Sequence, residues 1–560
     1  MLNHLPLTWW SRCVFCSQDL NNISAVCTDT YQIVKSLRQS RYFSFTSRII
    51  KIPDEYILTE LLTELKVILD RFVQRWNLTE FRSVKHTVHL TSDNADEVYR
   101  ICSAIPTEFY VSLYFTGRRS ENYNGLLKKT LKNLGHRFIS LDLQHNDLNS
   151  SSAESMIQCL EHTPFLEELN LSNNCFLAEN IEQLSPALYM LHNLTDLDIS
   201  GNIIHIRNAK SLTPALSYMT GLLRLNISRT HIGHISLNIL TKSIMCMTKL
   251  EYLNISSNWT GETSQDDLSL ILQSLPDLKD LDLSYSEIGA AKMNVLTPVI
   301  CKLKKLKSLN LSSNEIGEYF ETQHSPVFQI PTLEFLDISL NNITSKGASS
   351  LAKSLETMTL LKQLSLRSNE IGTEGCVILS SPIKKMKRLT TLDIGYNIES
   401  DLTPLILSLS SLPSLTSLDM SCNERMSDIQ ALGGLSNLLC LNISDNNLGE
   451  AGATDLSSQL SKMTRLTSLD LTSNVIFDNG LNSLLGTLSS LVHLENIRLG
   501  CNGLGNESAI VLGNHFQSLT SLQILDLSNN NIKKRGFDFL KSKLCQQECC
   551  LQVINNKREI

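Results

Sequence analysis

No run of about 18 uninterrupted apolar residues occurs in this 560-residue chain, so no membrane-spanning helix is expected. The first twenty residues, MLNHLPLTWWSRCVFCSQDL, lack a charged stretch followed by an apolar core and do not read as a secretory signal. There is no disulfide framework either. The 15 cysteines are odd in number and scattered from Cys13 to Cys550, whereas secreted disulfide scaffolds are short and cysteine-dense. Such thiols read as small apolar side chains in a reducing compartment, so a cytoplasmic location is expected. Sequons such as Asn193-Leu-Thr195 and Asn226-Ile-Ser228 fall out of a repeated wording and say little about secretion.

Basic excess is also missing. The net charge is −7, which argues against a general nucleic-acid binder. No H-E-x-x-H, G-x-S-x-G, G-x-G-x-x-G or G-x-x-x-x-G-K-[ST] occurs; Gly500, Gly503 and Gly505 have the wrong spacing. Cys13-x-x-Cys16 has no second pair to complete a zinc site. His86-x-x-His89 sits in strand-like wording, where the two side chains would face opposite ways. Neither an enzyme nor a metal or cofactor site is expected.

What is present is repetition. Apolar residues make up 42% and charged residues 19%, enough to bury a core. The wording Leu-x-x-Leu-x-Leu-x-x-Asn recurs, as in FLEELNLSNN and LQILDLSNN. The first apolar residue of each Leu-x-Leu pair marks the phase: Leu141, Leu169, Leu197, Leu225, Leu253, Leu281, Leu309, Leu336, Leu364, Leu392, Leu418, Leu441, Leu469, Ile497 and Leu525. The steps are 28 except for single steps of 27, 26 and 23, and they define fifteen copies. Five residues past the marker stands Asn in thirteen copies: Asn146, Asn174, Asn202, Asn258, Asn314, Asn341, Asn369, Asn397, Asn423, Asn446, Asn474, Asn502 and Asn530. Thr230 and Ser286 take its place in the other two.

Alternating apolar residues predict a short strand with one buried face. The chain must then turn away, which strands backbone groups without sheet partners. A buried Asn amide, with one acceptor and two donors, can satisfy them and stack into a ladder from copy to copy. The remainder of each copy, such as SKGASSLAKSLETMT, has apolar residues three and four apart and reads as the crossover helix that a parallel strand needs.

Stretches such as NNITSKGASSLAKSLETMTLLKQLSL and NNLGEAGATDLSSQLSKMTRLTSLDL resemble the leucine-rich repeat family. They look like its long, helix-bearing subclass, found in ribonuclease inhibitor and in the C-terminal regions of NOD-like receptors. The resemblance covers roughly residues 134–555. It implies an α/β leucine-rich-repeat solenoid, a horseshoe with parallel strands on the concave face and helices on the convex face. By strand spacing, the inner arc would be on the order of 70 Å.

The expected organisation follows. Residues 1–50 are unassigned, and 51–84, with ILTELLTELKVILDRFVQRW, form an amphipathic helical cap. Residues 85–136 hold two degenerate copies without the Asn: Leu113 lies 28 residues before Leu141, and Val88 lies 25 before Leu113. Residues 137–548 carry the fifteen repeats, and 549–560, with CCLQVINNK, form a C-terminal cap strand and tail. The 23-residue step from Leu418 to Leu441 leaves room only for a short turn and reads as a seam between sub-arrays.

The residue inside each Leu-x-Leu pair should face the concave side. Eight of the fifteen are Asp, which suggests either a solvated face or an acidic surface that steers a basic protein partner. The residue before each marker varies most. Tyr252 and Phe335 are aromatic there, and Trp259 and Tyr285 lie on the adjoining loop edge. With Asp280, Asp282, Asp337 and Arg367 they form the candidate partner-binding patch, aromatic anchors ringed by polar groups. The basic clusters Lys302/Lys304/Lys305/Lys307 and Lys384/Lys385/Lys387/Arg388 fall at helix C-termini, where cations are favoured.

A non-enzymatic protein-interaction scaffold is therefore expected, regulatory or innate-immune by resemblance to NOD-like receptors. One alternative is a GTPase-activating protein similar to the Ran activator, for which Arg207 and Arg229 are nominal candidates; the acidic tail of that family is missing, since the chain ends INNKREI. The other is a substrate-receptor subunit of a ubiquitin ligase, which would need an N-terminal adaptor-binding helix pair.

Overall fold

In fourteen of the fifteen copies the marker is the buried middle residue of a three-residue strand whose first and last residues are at least partly exposed, the outcome that period-two alternation dictates; the first copy has the longer strand Phe138–Asp142. The computed structural model describes residues 86–545, apart from short segments such as 105–109, 116–122, 259–264, 323–328 and 424–428, together with strands at 43–46, 552–555 and 558–559. The expected cap at 51–84 and the residues Cys13, Cys16 and Trp259 lie outside the described residues.

The chain divides into two units, Met1–Thr260 with Leu270–Leu275, and Gly261–Ser269 with Pro276–Ile560. In the first unit the parallel strands Phe43–Thr46, His86–Ser92, Tyr110–Phe115, Phe138–Asp142, Glu168–Asn170, Asp196–Asp198, Arg224–Asn226 and Tyr252–Asn254 pair in sequence order. In the second, parallel strands from Asp280–Asp282 to Gln552–Asn555 do the same, and Arg558–Glu559 adds an antiparallel end. Marker leucines sit opposite one another, as in Leu141↔Leu169 and Leu309↔Leu336. At the N-terminal side Leu90, not Val88, is opposite Leu113. A shift of two residues keeps the same side chains on the same face, so periodicity alone could not have chosen between the two registers.

Helices alternate with the strands and bury the expected face. In Ser345–Leu355 the buried residues include Gly347, Ala348, Leu351, Ala352 and Leu355. Small residues let adjacent helices touch: a Cβ at Gly375 would lie 2.6 Å from Ile371 Cγ2 and 3.1 Å from Ala348 Cβ. Strands repeat about every 4.8 Å but helices need 8–10 Å, so each unit must curl towards its sheet.

The shortened copies absorb their missing residues on the helix side. Thr403–Leu409 is a seven-residue helix, and Ile429–Gly434 is a 3-10 turn. Strand pairing passes through both without a slip, Leu392↔Leu418 and then Leu418↔Leu441. The division into units falls near 260–276 rather than at this shortened copy.

The thirteen Asn residues bind each copy to the one before it. Asn341 shows the pattern. Its Nδ2 donates to Leu311 O at 2.9 Å and to Ser339 O at 3.0 Å, while its Oδ1 accepts from Asn314 N at 2.9 Å. Asn174 repeats it with Leu143 O at 2.8 Å and Asn146 N at 2.9 Å. Thr230 turns its hydroxyl to Ile227 O and Asn258 Oδ1 instead, and Ile204 N then takes Thr230 O.

Asn341→Ala strands Asn314 N and Ile316 N, which both donate to its Oδ1, and leaves Leu311 O with one of its two amide donors. At about 1–3 kcal/mol for each stranded group, the loss should be on the order of 3 kcal/mol. Asn341→Thr, which keeps a hydroxyl as at Thr230, should lose less. Urea unfolding followed by circular dichroism measures this, and equal midpoints for wild type and Asn341→Ala would contradict it.

Candidate functional site

The inner-face Asp and Asn residues have a structural task that the repeat wording conceals. In thirteen copies the side-chain oxygen accepts the backbone N–H two residues on: Ser284 N to Asp282 Oδ1 at 2.9 Å and Ser339 N to Asp337 Oδ1 at 2.9 Å are examples. This closes the turn that carries the chain off the strand. Asp and Asn do this equally well, which accounts for their free exchange along the row. The frequent Ser two residues later was the available signal; its hydroxyl adds a second bond in places, as from Ser421 Oγ to Asp419 Oδ1 at 2.7 Å.

The carboxylates nevertheless remain at the surface and are electrostatically crowded. In the first unit, burial pushes Asp196 up to about 6, against the lowering influence of Arg224, with Glu168 and Asp198 adding to the rise. Arg224 bridges Asp196 at 2.9 Å and stacks its guanidinium 4.0 Å from the centre of the Tyr252 ring. Tyr252 is thus part of an ionic and aromatic stack that ends the first unit's described sheet. Asp142 is also raised, chiefly by burial.

In the second unit Asp280, Ser308, Phe335 and Gln363 are successive neighbours on one line of the sheet. Asp282, Asn310, Asp337, Ser365, Asp393 and Asp419 form the next line. Phe335 is half-buried among polar neighbours, and Tyr285 stands out from the strand end at 57% exposure. The expected patch is therefore distributed: Tyr252 belongs to the first unit, while Asp280, Asp282, Tyr285, Phe335, Asp337 and Arg367 belong to the second.

Arg367 is engaged rather than free. Its Nη1 lies 3.5 Å from Asp393 Oδ1, 3.4 Å from Asp419 Oδ1 and 3.2 Å from Ser421 Oγ, and its guanidinium covers Tyr396 at 4.4 Å. Burial raises Asp393, the Asp419 carboxylate adds to it, and Arg367 offsets part of both. Of the two nominal arginines, Arg207 donates to Glu182 at 2.9 Å and Arg229 occupies a left-handed turn position with φ 55°.

Four members of the basic clusters, Lys305, Lys307, Lys385 and Lys387, are tied to neighbouring copies. Lys305 reaches Asp277 at 2.6 Å, Lys307 and Lys362 both bind Glu334, and Lys387 donates to Ser411 O at 2.8 Å near a helix C-terminus. The two lysines hold the Glu334 carboxyl below its ordinary range.

Because the folded-state pKa of Asp196 lies above its unfolded value of about 3.9, folding favours its protonated form. Stability should therefore fall as pH rises between about 4 and 6, and Asp196→Asn should stabilise the chain at pH 7 while leaving it little changed near pH 4. Carboxyl NMR should place its midpoint at about 6, moving higher in Arg224→Ala. A midpoint near 4 would contradict this.

A family model described as Leucine Rich repeat matches residues 302–318, 329–352, 357–380, 411–429, 434–457, 462–485 and 518–538. NACHT, LRR and PYD domains-containing protein 14 of Mus musculus is 41% identical over 71 residues, which is 12% of this chain and 7% of that protein. Among solved structures, an internalin of Listeria monocytogenes is similar at 23% identity and TM-score 0.36, over 76% of this chain and 89% of that one. The TLR13–ssRNA13 complex is similar at 16% identity and TM-score 0.42, over 85% and 79%. A leucine-rich-repeat protein of Leptospira interrogans is similar at 18% identity and TM-score 0.41, over 83% and 99%. The seven matches are in phase with the marker leucines, and strand and turn recur at the same spacing in the copies outside them, so residues 302–538 carry leucine-rich repeats and the described array has the fold of a leucine-rich-repeat solenoid.

Proposed function

We propose that this chain is a non-enzymatic recognition module, a protein-interaction scaffold that takes a protein partner on the exposed sheet face. One observation carries the reading: the leucines, the Asn amides and the Asp/Asn turns fix the backbone, while the residue before each marker takes no part in that frame. That position holds Glu168, Asp196, Arg224, Tyr252, Asp280, Ser308, Phe335 and Gln363 in successive copies. A frame that tolerates any side chain at regularly spaced, outward-facing positions suits recognition.

The partner is a basic protein surface. The Asp-rich inner line and the net charge of −7 support this and disfavour a nucleic acid. A regulatory or innate-immune role is proposed by analogy with NOD-like receptors. A cytoplasmic setting is proposed as well; nine cysteines among the described residues are free thiols, which suits a reducing compartment. No helix among the described residues is long and apolar enough to cross a membrane.

The immobilised 560-residue chain should recover its partner from lysate, and Phe335→Ala should reduce recovery by about tenfold. Tyr252→Ala tests the first unit in the same way. Recovery should also fall as salt is raised from about 0.1 to 0.5 M. Undiminished recovery by both variants would remove the sheet-face reading.

A further inference from the structure

We propose that the strand-exit edge of the second unit, marked by Tyr285, Leu340 and Tyr396, is a docking surface for a basic amphipathic α-helix. The position four residues past each marker has positive φ in all fifteen copies. Most copies place a small or polar residue there: Asn173, Gly201, Ser257, Ser313, Ser368, Asp445, Ser473 and Asn529. Tyr285, Leu340 and Tyr396 hold φ of 52°, 56° and 55° and are 57%, 45% and 43% exposed. A bulky side chain in the left-handed region is strained, and an apolar one there exposes its surface to water as well. Turn geometry accounts for none of the three, and of them Tyr396 has the Arg367 guanidinium 4.4 Å from its ring while its edge stays exposed.

Their spacing is regular. Between Tyr285 and Leu340 lies one copy, with Ser313; between Leu340 and Tyr396 lies another, with Ser368. The edge therefore alternates an apolar knob with a serine notch, repeating every two strands, about 9.6 Å. A helix returns to the same face every seven residues, about 10.5 Å, so three heptad positions match three knobs. An extended strand shows the same face every second residue, about 6.7 Å, and falls out of step.

The flanks set the charge. On one side lie the exposed Glu287, Glu315 and Glu370, two residues past the knob line; on the other lies the half-buried row containing Asp282, Asp337 and Asp393. Arg367, whose guanidinium covers Tyr396, is already held by Asp393 and Asp419. An apolar stripe bordered by carboxylates on both sides complements a helix with apolar residues at heptad spacing and lysine or arginine beside them. The inference rests on the recognition reading but not on the Phe335 line of the sheet.

A labelled helical peptide of about 21 residues, with leucine at every seventh position and lysine and alanine elsewhere, is the probe. Its fluorescence anisotropy with the full chain should show saturable binding, absent for a scrambled peptide of the same composition. Tyr285→Ser/Leu340→Ser/Tyr396→Ser should weaken binding by about tenfold or more. Serine already occupies this conformation at Ser313 and Ser368, so the fold should survive, which circular dichroism checks. Glu287→Gln/Glu315→Gln/Glu370→Gln should flatten the salt dependence. Phe335→Ala should leave peptide binding unchanged, which separates failure of this edge from failure of the sheet-face reading. No binding by wild type, equal binding of the scrambled peptide, or an unaffected triple-serine variant would overturn the proposal. So would a wild-type dimer that the triple-serine variant dissolves, since the occupant would then be a second copy.

Discussion

The buried asparagine amide is the interaction on which the rest of the structure depends. Its Nδ2 reaches a carbonyl of the preceding copy, 31 residues earlier at Asn174 and Asn314, and its Oδ1 takes the backbone N–H of the previous asparagine, so both inter-copy links run towards the N-terminus. Each ladder Asn therefore satisfies its predecessor's turn as well as a carbonyl of its own. Leucine burial is non-directional and would tolerate sliding; the amide is directional and does not. Together they give a strand register that survives steps of 26 and 23 residues, because the ladder sees only the strand and its turn, not the length of the helix behind it.

A second directional bond acts within each copy. The inner-face Asp or Asn closes its own turn, which keeps a carboxyl or amide at the surface whether or not a partner needs it. The acidity of that line is thus partly a by-product of turn chemistry. Burial is the main cause of the raised Asp142 and Asp393 on that line and of the raised Asp196 beside it, and neighbouring carboxylates at strand spacing add to it. Arginines at Arg224 and Arg367 sit where the crowding is greatest and relieve it, each also stacking on a tyrosine from the next copy.

Much of the fold was legible because leucine and asparagine positions are imposed by burial and by unsatisfied backbone groups, and such constraints leave a fixed spacing in the sequence. The candidate site was legible only in part. Phe335 and Asp280 could be placed on one line from phase alone. The engagement of Arg367 with Asp393, Asp419 and Tyr396 could not, since it depends on side-chain reach across two strands. The division near residue 260 was hidden because Leu253 and Leu281 keep the regular step of 28. The shortened copy drew notice instead, although its missing residues come from the helix side, where they do not disturb pairing.

These constraints also define where variation is free. The marker, the ladder residue five positions on and the turn acceptor between the leucines are each committed to backbone or core. The residue before the marker projects from the strand without such a duty. The residue four past the marker has its backbone conformation fixed but its side chain free, and the conformation penalises bulk. Variation at the first position is therefore inexpensive, which suits a recognition surface, although no one residue there is singled out by the backbone. At the second, a large apolar side chain runs against the local preference, so tyrosine or leucine there signals a requirement that the repeat itself does not impose. Specificity in such an array has both positions to draw on, but only where a side chain defies its backbone does a single residue mark the contact by itself.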